Sequence, residues 1–203
     1  MTLLISTWIK FFFLFAPFFV VSMFLALTRN DTPAERRTTA NKAVLSAACA
    51  ALILFFFGTT LFEILGITID SFRIGAGILL FLSAVSLVKE GVRTNAQLPD
   101  APREDSSVVP LAIPTIIGPA TIGAILVYGS ELKGIDLAWG LSGMFLALFA
   151  LLVLLHAASW LERLLGVTGL NILSKITGLV LAAMASQIVL TGITGFITSV
   201  DIN

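Results

Sequence analysis

Charged residues occur in short clusters, and between them lie six long windows without Asp, Glu, Lys or Arg: 11–27, 43–62, 74–88, 106–130, 137–161 and 176–200. A bilayer core about 30 Å thick is crossed by roughly 20 helical residues at 1.5 Å each. Most of the windows meet that length. The shorter one, 74–88, is extended by Arg73 and Lys89, whose stems lie along apolar surface while their charged ends reach outward. The windows are apolar all round rather than alternating, which favours helices over the strands of a closed barrel. The pattern predicts an all-α polytopic membrane protein with six transmembrane helices.

Punctuation refines these elements. Thr32-Pro33-Ala34-Glu35 reads as a capping box with proline at the first helical position, so the second helix starts near Pro33. Gly66 and Gly166 are expected helix stops after spans two and five, and Asp70 and Asp136 are expected caps of the helices that follow. The longest hydrophilic stretch, 89–107, contains Pro99 and Pro102 and reads as a linker. It separates an N-terminal unit, 1–88, from a C-terminal unit, 108–203. Lys10 and the apolar run after it resemble a signal peptide, but no A-x-A-like cleavage site follows, so the run is read as a retained span.

The two units resemble each other. Residues 64–68 (ILGIT) match 164–168 (LLGVT), Arg73-Ile74 matches Lys175-Ile176, and Pro17 matches Pro119, all at displacements of about 100 residues. Three spans per unit is an odd number, so the second unit enters the membrane in the opposite direction. The expected architecture is two inverted three-helix repeats.

Composition agrees with membrane embedding: 58% of residues are hydrophobic and 12% charged, against about 25% charged in soluble domains. Nine of the twelve Lys and Arg residues fall on the side containing the loops after spans one, three and five. Loops rich in Lys and Arg stay cytoplasmic, which places both termini on the periplasmic side. The lone Cys49 excludes an intrachain disulfide and reads as a small packing residue. No metal-ligand cluster, nucleotide loop, catalytic triad spacing or basic nucleic-acid face occurs, so neither an enzyme nor a cofactor is expected.

The most informative chemistry lies in the backbone. Pro114 and Pro119 each lack an amide proton and would release the carbonyl four residues back. Gly118 adds conformational freedom beside them. Pro17 has the equivalent central position in span one, where it would release the carbonyl of Phe13. Helices one and four are therefore expected to be kinked or broken. Interrupted helices at equivalent places in two inverted halves mark the binding site of a transporter. Alternatively the prolines only kink packed helices, with Ser and Thr hydroxyls repairing the gaps. On the first reading Pro17, Pro114, Thr115, Gly118, Pro119 and Thr121 form a substrate site, the two threonines adding hydroxyl contacts. Without charged side chains at these breaks, the solute would be neutral or zwitterionic.

VPLAIPTIIGPATI at 109–122 resembles the signature of the MarC family of bacterial inner-membrane proteins, FRIGAGILLFLSA at 72–84 its third span, and KITGLVLAAMASQIVLTGI at 175–193 its last. Leu27-Thr28 and Glu35-Arg36-Arg37 fit as well. The resemblance implies six spans in inverted repeats, distantly similar to LysE-type amino-acid exporters, and a location in the inner membrane. The first span departs from it. Where many relatives read D-P-x-G-N-x-P, this chain has Ala16-Pro17-Phe18-Phe19-Val20-Val21-Ser22, so the polar part of one half-site is missing.

Among the remaining polar residues, His156 reads as an interfacial or packing residue or a proton-coupling group. Glu63 and Arg73 read as a surface ion pair or as snorkelling side chains. Gln187 reads as an interhelical hydrogen-bonding group or part of a site lining. Gly75, Gly77 and Gly178 read as close-packing positions. The expected function is secondary transport of a small neutral polar solute such as an amino acid. The alternative is a structural or regulatory membrane protein descended from a transporter, and a passive channel is a third reading. The lipid bilayer and the solute are the expected partners.

Overall fold

The computed structural model describes residues 2–90 and 116–200. Among the described residues seven helices occur in order: α1 Thr2–Leu14, α2 Pro17–Leu27, α3 Pro33–Leu65, α4 Ile69–Glu90, α5 Pro119–Glu131, α6 Ile135–His156 and α7 Ala158–Val200. No strand occurs among the described residues. Four helices (α3, α4, α6 and α7) are each long and apolar enough to cross a membrane. The bent pair α1–α2, with an angle of 41° at its break, makes a fifth if counted as one span. Of the window 106–130, only the part from Ile116 on, containing α5, falls within the described residues. The linker 89–107 lies almost wholly outside them.

Local chemistry accounts for most helix ends. The Thr32 hydroxyl accepts from the Glu35 amide at 3.4 Å, and the Thr32 amide donates to the Glu35 carboxylate at 2.7 Å, so the capping box forms. At the other end of α3, Gly66 turns left-handed with φ 64°, and Ile67 N–H donates to Phe62 O at 3.2 Å, closing the last turn. Gly166 interrupts α7 with φ 66° and ψ 174°, as its expected role as a stop requires. Before it, Ala157 is a shallow turn whose flanking bonds (Ala157 N–H to Val153 O, Leu161 N–H to Ala157 O) keep the path helical. Neither aspartate is a cap. Thr68 accepts from the Ser71 amide at 3.2 Å at the start of α4, and Gly134 precedes α6. Asp70 and Asp136 sit in the first turns instead, where a negative charge still complements the helix dipole.

The helices pack into one bundle. The longest seam joins α4 to α7; α1 lies on α6, α3 on α5 and α6, α4 on α5, and α2 on α7. Fully buried Phe11, Phe55, Ile125, Met144, Leu148 and Leu151 belong to a single continuous core. The outside is also apolar: Ile64, Phe149 and Leu179 are 75%, 61% and 61% exposed. Such a surface in water would be an aggregation hazard, and in lipid it is the natural coat. Cys49 is exposed on α3 rather than packed, because it lies on the side of the helix away from the buried Ala43, Ala47 and Ala51.

Glycine sets the closeness of the α4–α7 seam. A Cβ at Gly77 would lie 2.6 Å from the Val189 side chain and 3.1 Å from Ala185 O. One at Gly178 would lie 2.9 Å from the Val88 side chain and 3.0 Å from Ala84 O. Small residues let two backbones approach in lipid, where packing rather than water exclusion holds helices together. A Cβ at Gly75 would meet nothing within 4 Å, so this residue is not a packing position. Gly178→Ala is expected to destabilise the purified protein by about 1–3 kcal/mol through overpacking, although alanine favours a helix. Gly75→Ala should be neutral, or stabilising by up to about 1 kcal/mol. Unfolding in detergent micelles measures both.

Candidate functional site

Pro17 follows a break between two helices, and Pro119 opens a helix after irregular backbone. Between α1 and α2, Ala16 is the residue before Pro17 and adopts the left-handed conformation, φ 46° and ψ 58°. For an L-residue other than glycine this costs roughly 1–2 kcal/mol. The Phe13 carbonyl is not released, contrary to expectation: the Ala16 amide takes it at 2.9 Å in a tightened last turn. In the second half the chain bends at Ile117 and extends through Gly118 (φ −81°, ψ 171°) before Pro119 opens α5.

The outcome is two short helices whose first turns lie within the protein. In α2 the first helical bond is Val20 N–H to Ala16 O; in α5 it is Ile122 N–H to Gly118 O. The amides of Phe18 and Phe19, and those of Ala120 and Thr121, precede those bonds and belong to the group every helix leaves without an internal partner. Ala16 and Gly118 carry no polar side chain to cap them. Ala16 is also the residue that matches the aspartate of the D-P motif, so the departure noted in the sequence falls on the N-cap of α2.

Pro17, Ala120 and Thr121 are buried, Thr121 to within 6% of full burial, whereas Pro119 is exposed on one side. Pro114 and Thr115 lie outside the described residues. The breaks share one buried cluster, which includes Phe15, Ala16, Ile116, Ile117 and Ala120. The two short helices do not pack along each other: α2 lies on α7 and α6, and α5 on α3 and α4. A groove of about 500 Å³ between α4 and α5 reaches Pro119 and is lined mainly by apolar groups, with Ser71 as its hydroxyl. Side chains around the breaks are therefore mostly apolar, and the polarity available is that of the helix ends and of Thr121.

Nearby hydroxyls serve their own helices. Ser22 donates to Phe18 O at 3.0 Å, Thr28 to Phe24 O at 2.7 Å and Ser130 to Val127 O at 2.7 Å. Gln187 neither bridges helices nor lines a buried site; it is exposed and lies 3.5 Å from Thr191 of its own helix. His156 is exposed, with Nδ1 2.9 Å from Leu152 O. Arg73 forms an ion pair, but with Asp70 and Glu131 rather than Glu63. Its contact to Glu131 at 2.7 Å joins α4 to the end of α5. Sequence separation hid that partner, since the two lie 58 positions apart with the whole linker between them.

Ala16→Gly is expected to stabilise the folded protein by about 1 kcal/mol, because glycine adopts the left-handed region freely. Ala16→Val should lower stability by at least as much, since a branched side chain fits that region worst. Denaturation of the purified variants reads both signs.

The sequence as a whole is similar to known proteins. The family model described as "MarC family integral membrane protein" matches residues 1–197. The chain is 37% identical over 191 residues to UPF0056 membrane protein YhcE of Escherichia coli, covering 91% of this chain and 88% of that one. A UPF0056 membrane protein of Buchnera aphidicola subsp. Acyrthosiphon pisum is 33% identical, with 93% of each chain covered. One of Aquifex aeolicus is 32% identical, with 87% and 86% covered. No solved structure matches. With a match that spans almost all of its length, the chain belongs to the MarC family of integral membrane proteins.

Proposed function

We propose that this protein is a secondary transporter of a small neutral polar solute, such as an amino acid, working by alternating access between two inverted three-helix repeats. The observation that carries the reading is the pair of uncapped helix N-termini, α2 and α5, that begin within the buried core at equivalent places in the two halves. Partial positive charge at a helix N-terminus suits the carboxylate of a zwitterion. Thr121, buried one turn into α5, would add a hydroxyl contact, and Thr115 would add another.

Packing supports the repeat. With span one paired to four, two to five and three to six, α2 on α7 and α6 answers α5 on α4 and α3. The glycine seam is reciprocal in the same way, Gly77 against Ala185 and Val189, Gly178 against Ala84 and Val88. Each residue corresponds to one 101 positions away (77 to 178, 84 to 185, 88 to 189). Thr28 and Ser130 close the ends of α2 and α5 alike. In this reading the membrane is the bacterial inner membrane, both termini are periplasmic, and the Arg73–Glu131 pair holds the two units together at the periplasmic end. Export is the direction implied by the likeness to LysE-type proteins.

A second reading has its own observation. The side chains around the breaks are almost all apolar, and the N-cap position matching the family aspartate is Ala16. That composition fits a structural or regulatory membrane protein that has lost part of an ancestral transport site.

Purified protein in liposomes, tested with a panel of amino acids, separates the two. Saturable uptake with counter-transport is expected, and Thr121→Val should weaken it about tenfold, the order of one lost hydrogen bond to a charged group. Saturable flux indifferent to that substitution would reject the site while keeping transport. No flux across the panel, in wild type and in a variant with the D-P-x-G-N motif restored at 16–20, would leave the second reading.

A further inference from the structure

At the end of the bundle opposite the Arg73–Glu131 pair, a pocket of about 350 Å³ opens between the start of α3 and the α6–α7 turn. Phe24 and Leu155 form its apolar floor, and Arg36, Arg37, His156 and Ser159 are among its walls. Arg36 is fixed in place: Nε donates to Thr28 O at 2.9 Å, one terminal nitrogen to the Ser159 hydroxyl at 2.9 Å, and the other to Arg29 O at 3.2 Å. All three acceptors are neutral. The guanidinium thus keeps its full charge, and two of its five N–H donors remain. Neither Arg36 nor Arg37 has a carboxylate partner among the described residues. Glu35, their neighbour, is held by Thr32 in the capping box. Asp31 also lines the pocket, so two arginines against one aspartate leave an excess positive charge. Because His156 Nδ1 faces the Leu152 carbonyl, that nitrogen carries the proton, and Nε2 has no partner among the described residues.

We infer that this pocket binds a phosphate group, presented by the headgroup of an anionic phospholipid. Planar guanidinium donors match phosphate oxygens in pairs, and a pre-anchored arginine loses little freedom on binding. The depth is right as well. Trp160, one turn beyond His156 and 64% exposed, is the type of residue that sits at the level of lipid headgroups. Basic pockets between membrane helices are a known form of headgroup site. Free phosphate would satisfy the same donors, so the source of the phosphate must be separated by experiment.

The full-length protein in detergent micelles containing phosphatidylglycerol or phosphatidylcholine is assayed for retained lipid by native mass spectrometry. Salt is set at ~0.5 M, where the screening length falls to roughly 4 Å and diffuse attraction is suppressed. Wild type should retain phosphatidylglycerol in preference to phosphatidylcholine. Arg37→Gln should weaken that retention about tenfold, the effect of one charge-assisted hydrogen bond. His156→Gln gives a second variant that leaves the Arg36 anchor intact. Lys42→Gln removes an equal charge from the same end of α3 outside the pocket, and should change nothing. Equal retention in wild type and Arg37→Gln, or an equal loss in Lys42→Gln, would overturn the inference. Added inorganic phosphate then identifies the source: no displacement of phosphatidylglycerol assigns the lipid headgroup, and displacement assigns the same pocket to the free ion.

Discussion

Within hydrocarbon there is no water to hydrogen-bond a peptide group, so every backbone amide and carbonyl needs a partner in the protein. Uninterrupted helices meet that demand internally, and α3, α4 and α6 do so for more than twenty residues each. The break before Pro17 and the irregular backbone before Pro119 are departures from it. A tightened turn recovers the Phe13 carbonyl. The residues just before the first turns, Phe15, Ala16, Ile116 and Ile117, belong to the buried core.

Charge is handled differently at the two ends of the bundle. At one end Arg73 is neutralised by Asp70 and by Glu131. At the other, Arg36 is held by carbonyls and a hydroxyl that fix its position without cancelling its charge. One arrangement closes a contact between helices on itself; the other leaves a positive charge beside an open space. Loop composition alone registers only an excess of cations on one side, not this difference in how each is satisfied.

Much of the frame was legible because its signals are local. A capping box is complete within four residues, a left-handed glycine stop within one, and a proline break within five, so Thr32–Glu35, Gly66, Gly166, Pro17 and Pro119 could be placed from sequence. The misreadings came where the deciding partner was elsewhere or where two neighbours competed. Thr68 took the cap expected of Asp70, Glu131 took the arginine expected of Glu63, and the rotation of α3 and α7 decided the exposure of Cys49 and Gln187. The left-handed Ala16 was not legible either, since alanine carries no preference for that region. Of the candidate site, Pro17, Gly118, Pro119 and Thr121 fall at helix breaks or in a first turn, while the largely apolar lining depended on which faces of neighbouring helices turn inward.

The glycine seam between α4 and α7 has a mechanical consequence. Where a missing Cβ lets one backbone rest against a carbonyl and a valine methyl of the other, lengthwise sliding would drive those atoms into each other within a fraction of a helical turn. The two helices are therefore keyed in a single register, and that fixed pair is the edge on which the other helices are positioned.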